Sequence, residues 1–173
     1  VAVAAAERAG EKVALGQALS GLGVAMAETG DYEAASGCYR RAIDLRRETG
    51  DVRGEASSLG NLAVVHADLE QYDRAIEYAE RAANLSRSIG DPAREAATLT
   101  NLAEMKRRTG RLAGATFDLE RALTLARQIS CGRSEAIALG YLAALHNDMK
   151  TFERAIEHGQ QALSLLERTG DRL

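Results

Sequence analysis

The fold is decided by residues 50–89, which read GDVRGEASSLGNLAVVHADLEQYDRAIEYAERAANLSRSI. The same pattern returns every forty residues along the chain of 173 residues. A repeat of this regularity predicts one supersecondary unit that is copied four times and stacked. Four sets of residues are in step at this spacing: Ala35, Ala75, Ala115 and Ala155; Leu22, Leu62, Leu102 and Leu142; Ala42, Ala82, Ala122 and Ala162; Leu45, Leu85, Leu125 and Leu165.

The first half of the unit is predicted to be a helix, here called helix A. Gly50 suits the left-handed position that ends one helix, and Asp51 can cap the helix that follows. The pair Asp91–Pro92 repeats this signal, because proline is tolerated in the first turn of a helix. Helix A is expected to run to about Leu69. Its apolar residues have the three- and four-residue spacing of one helix face: Leu59, Leu62, Ala63 and His66.

The second half of the unit is predicted to be an antiparallel partner, helix B. Glu70–Gln71 makes the turn, and helix B runs from Tyr72 to Ile89. Small residues are expected where two helix backbones approach closely, at Gly23, Ala63, Ala103 and Ala143 of helix A. The predicted buried face of helix B consists of Ala75, Ile76, Ala79, Ala82, Ala83 and Leu85.

The repeat also predicts the division of the chain. Residues 1–10 align with the end of a preceding repeat, and residues 171–173 align with the start of a further one. Between them we expect four repeats, at 11–50, 51–90, 91–130 and 131–170. Glycine is expected at the joins, with one serine: Gly10, Gly50, Gly90, Ser130 and Gly170.

These boundaries predict a piece of a longer array without capping repeats at its two ends. The helix expected over 151–169 would then have an apolar face, including Ile156 and Leu163, that no fifth helix A covers. We therefore expect weak association of copies through the uncapped ends.

Composition excludes several functional classes. Positive and negative side chains nearly cancel, to a net charge of −3, so there is no electrostatic footprint for nucleic acid or for an anionic membrane. The longest apolar stretches are far shorter than the ~20 residues that a membrane span needs. We expect neither partner to be contacted directly.

The cysteines and the repeat-related histidines are not spaced as a metal site or a nucleophilic active site would require. Cys38 and Cys131 occupy different repeat positions and have no partner at metal-ligand spacing, so both are interpreted as free thiols in a reducing, cytoplasmic compartment. His66 and His146 share one repeat position but are two repeats apart, and packed histidines are expected rather than a metal site. No catalytic residue, metal or cofactor is predicted.

The repeat resembles the tetratricopeptide repeat, over essentially the whole chain. The usual unit has 34 residues, and the forty-residue form is similar to repeats of kinesin light chain, of polarity scaffolds that bind GoLoco peptides, and of bacterial multidomain regulators. The resemblance implies an all-α fold, a right-handed superhelical solenoid of antiparallel helix pairs in which helix A lines the concave side. The motif is carried by Asn61-Leu62-Ala63, Tyr72, Ala75-Ile76, Ala82 and Leu85, and by Asn101-Leu102-Ala103, Leu112, Ala115, Ala122 and Leu125.

A second stripe runs along helix A, opposite its buried face, and is here called the outer stripe. Because the core does not dictate these residues, the stripe supplies the candidate binding residues of the concave groove that the resemblance implies: Ser57, Asn61, Val64, Asp68, Asn101, Glu104, Arg108, Tyr141 and Asp148. Arg107, beside the stripe, is added for its charge. The outer stripe consists of Gln17, Gly21, Val24 and Glu28; Ser57, Asn61, Val64 and Asp68; Ala97, Asn101, Glu104 and Arg108; and Ile137, Tyr141, Ala144 and Asp148.

Two groups in this stripe each have two interpretations. Asn61 and Asn101 can hold a peptide backbone, as asparagines do at this position in the family, or they can be inherited or bonded to a neighbouring helix. Arg107 and Arg108, with Glu104, can clamp a ligand carboxylate or form a solvated helix end. The favoured function is a protein-interaction module of a larger regulator that binds a peptide or helix; the alternative is a self-associating scaffold without a separate ligand. The sequence does not identify the partner.

Overall fold

A computed structural model of the chain describes residues 2–169, which form eight α-helices and confirm the all-α prediction. Residues 170–173, with the expected join at Gly170 and the start of a further repeat, lie outside the described residues. The helices are α1 (Ala2–Glu28), α2 (Tyr32–Thr49), α3 (Val52–Asp68), α4 (Tyr72–Ser88), α5 (Pro92–Arg108), α6 (Leu112–Gln128), α7 (Gly132–Asp148) and α8 (Phe152–Thr169).

The chain divides into two compact units, Val1–Ile89 and Gly90–Leu173. In unit 1, α1 packs on α2, α3 packs on α4, and α3 also contacts α2 and α1. Unit 2 repeats this plan, with α5 on α6, α7 on α8, and α7 against α6 and α5. Each unit is therefore a short stack of antiparallel helix pairs.

Left-handed residues separate the helices. Gly50 has φ +70°, and its N–H donates to the carbonyls of Arg46 and Arg47 at the end of α2. The next residue, Asp51, caps α3 by accepting a hydrogen bond from the N–H of Gly54 at 2.9 Å. At the equivalent join Ser130 has φ +54° without being glycine. The turns expected at these joins are confirmed.

The join expected at Gly10 is not present. Helix α1 runs through Gly10 without a break, from Ala2 to Glu28. Glu11 stands where Asp51 and Asp91 cap the helices that follow, although Cys131 begins α7 without a side-chain cap. A glycine alone costs a helix interior only about 1 kcal/mol.

The core of unit 1 is built from alanine and larger aliphatic side chains around the buried ring of Tyr39. Ala75 and Ala82 are fully buried, as the repeat predicts. Gly23 must be small, because a Cβ there would lie 2.9 Å from Cε1 of the buried Tyr39 ring. Leu85, predicted to be buried, is instead half-buried at the edge of the core, and Ser86 takes the buried place beside it.

Within each unit, one ion pair joins the first helix B to the helix A that follows it, at a repeated position. Arg47 of α2 lies 2.5 Å from Glu55 of α3, and Arg127 of α6 lies 2.8 Å from Glu135 of α7. Unit 2 also contains a mostly buried pair, Lys106–Asp118, at 2.8 Å. The same register of helices therefore recurs in both units.

Candidate functional site

In unit 1 the outer stripe of α3 is accessible along most of its length. Val64 and Asp68 are exposed, and Ser57 and Asn61 are half-buried. On α1 the stripe residues Gln17 and Val24 are exposed as well. These helices are neighbours, since Ser20 Oγ of α1 lies 3.1 Å from Ser58 Oγ of α3.

Asn61 has an internal partner. Its side chain is hydrogen-bonded to the phenol of Tyr39, on α2. Burial raises the pKa of the Tyr39 phenol, and the bond with Asn61 partly offsets this rise. The interpretation of Asn61 as a residue bonded to a neighbouring helix therefore has direct structural support, whereas Asn101 is exposed on α5.

In unit 2 four of the predicted site residues form one ionic cluster. Arg107 donates two hydrogen bonds to Glu104, from Nε at 2.7 Å and from Nη2 at 2.9 Å. Its third nitrogen donates to Asp148 of α7. Arg108 Nε adds a bond to Glu104 at 2.8 Å. The outer stripes of α5 and α7 are thus brought together at the C-terminal ends of the two helices.

This cluster is electrically balanced. The hydrogen bond and charge of Arg107 hold the pKa of Glu104 below its usual range, and burial of the carboxyl only partly opposes them. Glu104 and Asp148 in turn raise the pKa of Arg107. The charge of Arg107 is therefore neutralised by carboxylates of the protein itself. This supports a structural role for Arg107 over a role as a clamp on a ligand carboxylate.

The outer stripe of α7 also borders a groove. Tyr141, with Ile137 and Ala144 of the same stripe, lines one wall of this groove of about 900 Å³, whose other wall is α8. The α8 wall includes the small residues Gly159 and Ala162 beside the exposed Leu163. Sequence reasoning placed Tyr141 with the peptide-binding residues but did not find this groove; the glycine at 159 was the available signal.

The two repeat-related histidines are packed, as predicted. His66 is buried and stacks on Tyr78, with ring centroids 5.2 Å apart. His146 stacks on His158 at 5.3 Å, and its Nδ1 lies 2.8 Å from the hydroxyl of Thr151. Burial lowers the pKa of His146, and the charge of His158 lowers it further. Sequence reasoning missed this pair because His158 stands where the second repeat has Tyr78.

The remaining chemistry is sparse. Cys38 and Cys131 are free thiols. Among residues 2–169, no three His, Cys, Asp or Glu side chains are grouped in a way that could hold a metal ion. None of the described helices combines the length and apolar character needed to cross a bilayer.

Solved structures share this fold at low sequence identity. BtubC (BKLC) from P. vanneervenii superposes with a TM-score of 0.83 at 20% identity, over 92% of this chain and 66% of that one. Aspartyl phosphate phosphatase F from Bacillus subtilis gives 0.86 at 16%, over 92% and 42%. The apo form of RapI gives 0.86 at 13%, over 92% and 58%. The chain thus spans between two fifths and two thirds of these proteins.

Sequence comparison points to one family. None of the curated proteins matches the chain significantly. Two family profiles do match, both described as tetratricopeptide repeat, at residues 54–128 and at residues 15–49. Together they cover more than half of the chain and fall on helices of both types. With its helical-repeat solenoid fold, the chain belongs to the tetratricopeptide repeat family and is a protein-interaction repeat module.

Proposed function

We propose that this chain binds a peptide or helical segment of a partner protein along the outer stripe of helix A, as part of a larger cytoplasmic regulator. One observation carries the proposal. Each unit exposes a large aliphatic side chain on this stripe, Val24 and Val64 in unit 1 and Ile137 in unit 2. These residues are not needed by the core, and apolar anchors flanked by amides suit a peptide segment.

The polar residues support the same partner. Asn101 presents an exposed amide that can donate to and accept from a peptide backbone at once. In unit 1, Gln17 and Asp68 are exposed beside the aliphatic residues. Mixed charge and spaced amides favour a protein segment over nucleic acid or an acidic membrane surface. The proposal assigns no catalytic step to this segment.

The cellular setting in this proposal follows from the thiols and the length of the relatives. Two unpaired cysteines suit a reducing compartment. The structural relatives are longer than the stretch that this chain matches, in keeping with a module of a larger protein.

The test begins with a photo-crosslinking residue at Val64, with the same residue at Glu77 as control, because Glu77 is exposed on α4 outside the stripe. Crosslinking from Val64 and not from Glu77 identifies the partner. Its affinity is then measured by calorimetry for Val64→Asp and for Asn101→Ala. We expect each variant to bind about fivefold more weakly or worse, since a lost contact of this kind costs roughly 1 kcal/mol or more.

Asn61 needs its own control, because it also bonds Tyr39. Asn61→Ala removes the amide, whereas Tyr39→Phe removes only its internal partner. If Asn61 holds the ligand, the first variant loses affinity and the second does not. If circular dichroism is unchanged and no stripe variant alters affinity, the outer stripe is not the binding surface.

A structural role is the second candidate function, and a separate observation favours it. Large apolar side chains are exposed on α1, at Leu15 and Leu22, and on α8, at Phe152, Ile156 and Leu163.

A further inference from the structure

The outer stripes of the two units end with different charges. In unit 2, Arg107 at the end of α5 bonds both Glu104 of its own helix and Asp148 of α7, so both signs of charge are present. Unit 1 has the same four repeat positions, eighty residues earlier, without a cation. They are occupied by Val24, Ala27, Glu28 and Asp68. Two carboxylates beside apolar side chains therefore stand in unit 1 where unit 2 has a neutral ionic cluster.

The two carboxylates of unit 1 are accessible and have no cationic partner. Glu28 and Asp68 are both exposed. Among the described residues 2–169, neither side chain makes a hydrogen bond or an ion pair. The Lys or Arg nearest to Asp68 along the chain is Arg74, which donates a hydrogen bond to Gln71 at 3.4 Å instead. The charge of both acids is therefore available to a ligand.

The two acids also oppose the electrostatic preference of their own helices. Glu28 is the last residue of α1 and Asp68 is the last residue of α3. Carbonyl groups give the C-terminal end of a helix a negative partial charge, so that cations stabilise this end and anions do not. The last turns of α2, α4, α5 and α6 follow the rule and contain Arg or Lys. Departures from such a local rule are expected at functional sites.

This end of the outer stripe stays open when neighbouring helices are in place. Asp68 is exposed although α3 packs against α1, α2 and α4. Glu28 has the same repeat position in α1, forty residues earlier. Stacking of helix pairs therefore leaves both carboxylates uncovered, and the surface that they form belongs to the concave side and not to an unpaired helix face.

The phenol of Tyr39 connects the two helices beneath this surface. Its ring lies close to α1, because a Cβ added to Gly23 would be 2.9 Å from Cε1 of the ring. Its hydroxyl is hydrogen-bonded to Asn61 of α3. Burial raises the pKa of this phenol most, and the negative charge of Glu28 adds to the rise. Glu28 therefore faces the Tyr39–Asn61 pair and borders the same surface as the stripe of α3.

An exposed valine lies one helical turn before each acid. Val24 precedes Glu28 by four residues, and Val64 precedes Asp68 by four, so each pair shares one face of its helix. Val24 is 41% accessible and Val64 is 38% accessible. A surface with apolar area and a carboxylate one turn apart suits a side chain with an apolar stem and a cationic head, as lysine and arginine have.

Unit 2 contains its own example of such an occupant. Arg107 of α5 reaches Asp148 of α7 across 41 residues of sequence. Asp68 has the repeat position of Asp148, and the residue forty-one positions before Asp68 is Ala27. Unit 2 thus supplies a guanidinium to this acid from within the chain, and unit 1 has a methyl group there. A planar guanidinium can bridge two carboxylates, which a compact ammonium does less well.

We propose that the partner segment bound by the outer stripe carries an arginine whose guanidinium is held by Glu28 and Asp68 and whose stem lies over Val24 and Val64. The guanidinium takes in unit 1 the place that Arg107 has in unit 2. The inference rests on the proposed function and adds the chemistry of the partner to it. The segment is basic where it crosses unit 1.

The test uses a small probe in place of the partner. The probe is the capped tripeptide acetyl-Val-Arg-Val-amide, and the matched control is the same peptide with citrulline, which has nearly the same shape without the charge. Binding is followed by heteronuclear NMR of the labelled chain. We expect shifts at Glu28, Val64 and Asp68, with about tenfold weaker binding of the citrulline peptide. Salt should weaken the arginine peptide, since both carboxylates are exposed.

Four variants connect this binding to the two carboxylates. Glu28→Gln and Asp68→Asn remove one charge each at nearly constant shape and should each weaken the arginine peptide about fivefold or more. Ala27→Arg supplies a guanidinium from within the chain, as Arg107 does, and should block the probe. Glu77→Gln removes an exposed carboxylate of α4 outside the stripe, and should bind as the parent does.

Folding is checked by circular dichroism. Ala27 packs partly against the core, so the two amide variants carry the test if Ala27→Arg does not fold. A further variant reverses the charge: Asp68→Arg should bind acetyl-Val-Glu-Val-amide, which the parent should not bind.

The inference is overturned if the arginine and citrulline peptides bind equally, if neither binds, or if Glu28→Gln and Asp68→Asn leave the affinity unchanged. The proposed function has a separate outcome. A partner that crosslinks from Val64 but binds both amide variants as tightly as the parent leaves the proposed function standing and overturns this inference. Arginine-specific binding at Asp68, without any partner that crosslinks from Val64, supports the site and counts against the proposed function alone.

Discussion

The pair Leu62 and Leu22 allows a direct test of what neighbour packing contributes. Both are leucine at one repeat position, yet Leu62 is fully buried while Leu22 is 47% accessible. Leu62→Ala should cost roughly 3 kcal/mol, from lost transfer energy and from the cavity that remains. Leu22→Ala removes the same atoms from a half-exposed site that leaves no closed cavity, so we expect about 1 kcal/mol.

The measurement is guanidinium unfolding followed by circular dichroism, with thermal melts as a second readout. For a chain of this length, the melting temperature should fall by roughly 6–12 °C in Leu62→Ala and by roughly 2–4 °C in Leu22→Ala. Protein concentration is kept low, so that contacts between molecules do not contribute to the measured stability. Equal losses in the two variants would refute the reasoning, because they would mean that repeat position, and not burial, sets the contribution of this leucine.

Three further predictions concern other parts of the molecule. Ala75→Arg should lower the free energy of unfolding by several kcal/mol, since it overpacks a fully buried site and buries a charge; Glu77→Arg, exposed on the same helix, should change it little. The lowered pKa of His146 means that its contribution to stability is present above the unfolded-state value of ~6.5 and is lost as the pH falls through the folded-state value. Charge on His158 and Arg154 adds to this effect and Glu120 opposes it, so His158→Tyr, which copies the His66–Tyr78 stack, should flatten the fall in stability between about pH 7 and pH 5; an unchanged slope would contradict the role of His158. Arg107→Met should destabilise unit 2 by about 1 kcal/mol at low salt and by less at about 1 M salt, because its partners Glu104 and Asp148 are only partly buried; a loss that does not depend on salt would indicate packing rather than charge.

The helices and their ends were largely predictable from the sequence. Period and spacing are local properties, and the signals at Gly50–Asp51 and Asp91–Pro92 act through the nearest backbone groups. The failure at Gly10 has the same origin. Glycine was interpreted as a stop, but a helix can continue through glycine at small cost.

The candidate site was only partly predictable. Repeat spacing placed Asn61, Glu104 and Asp148 on the outer stripe, with Arg107 beside it, but it did not say which of them bond to the protein itself. Asn61 is bonded to Tyr39, and Arg107 joins Glu104 to Asp148 across two helices. Such partners lie up to 41 residues apart, so only the packed structure brings them together.

The sequence by itself determined the period, the helix pairs and the tetratricopeptide family, because forty-residue spacing and helix-end chemistry are written along the chain. Only the tertiary structure decided which residues at the same repeat position are also buried to the same extent. Leu22 and Leu62 are both leucine at one repeat position, yet Leu22 is exposed and Leu62 is buried. In the same way, Leu163 is exposed although Ile43 and Leu123, at its repeat position, are buried. Whether such a side chain is buried or exposed depends on whether a neighbouring helix covers it. The repeat pattern of the sequence does not show which helices are covered.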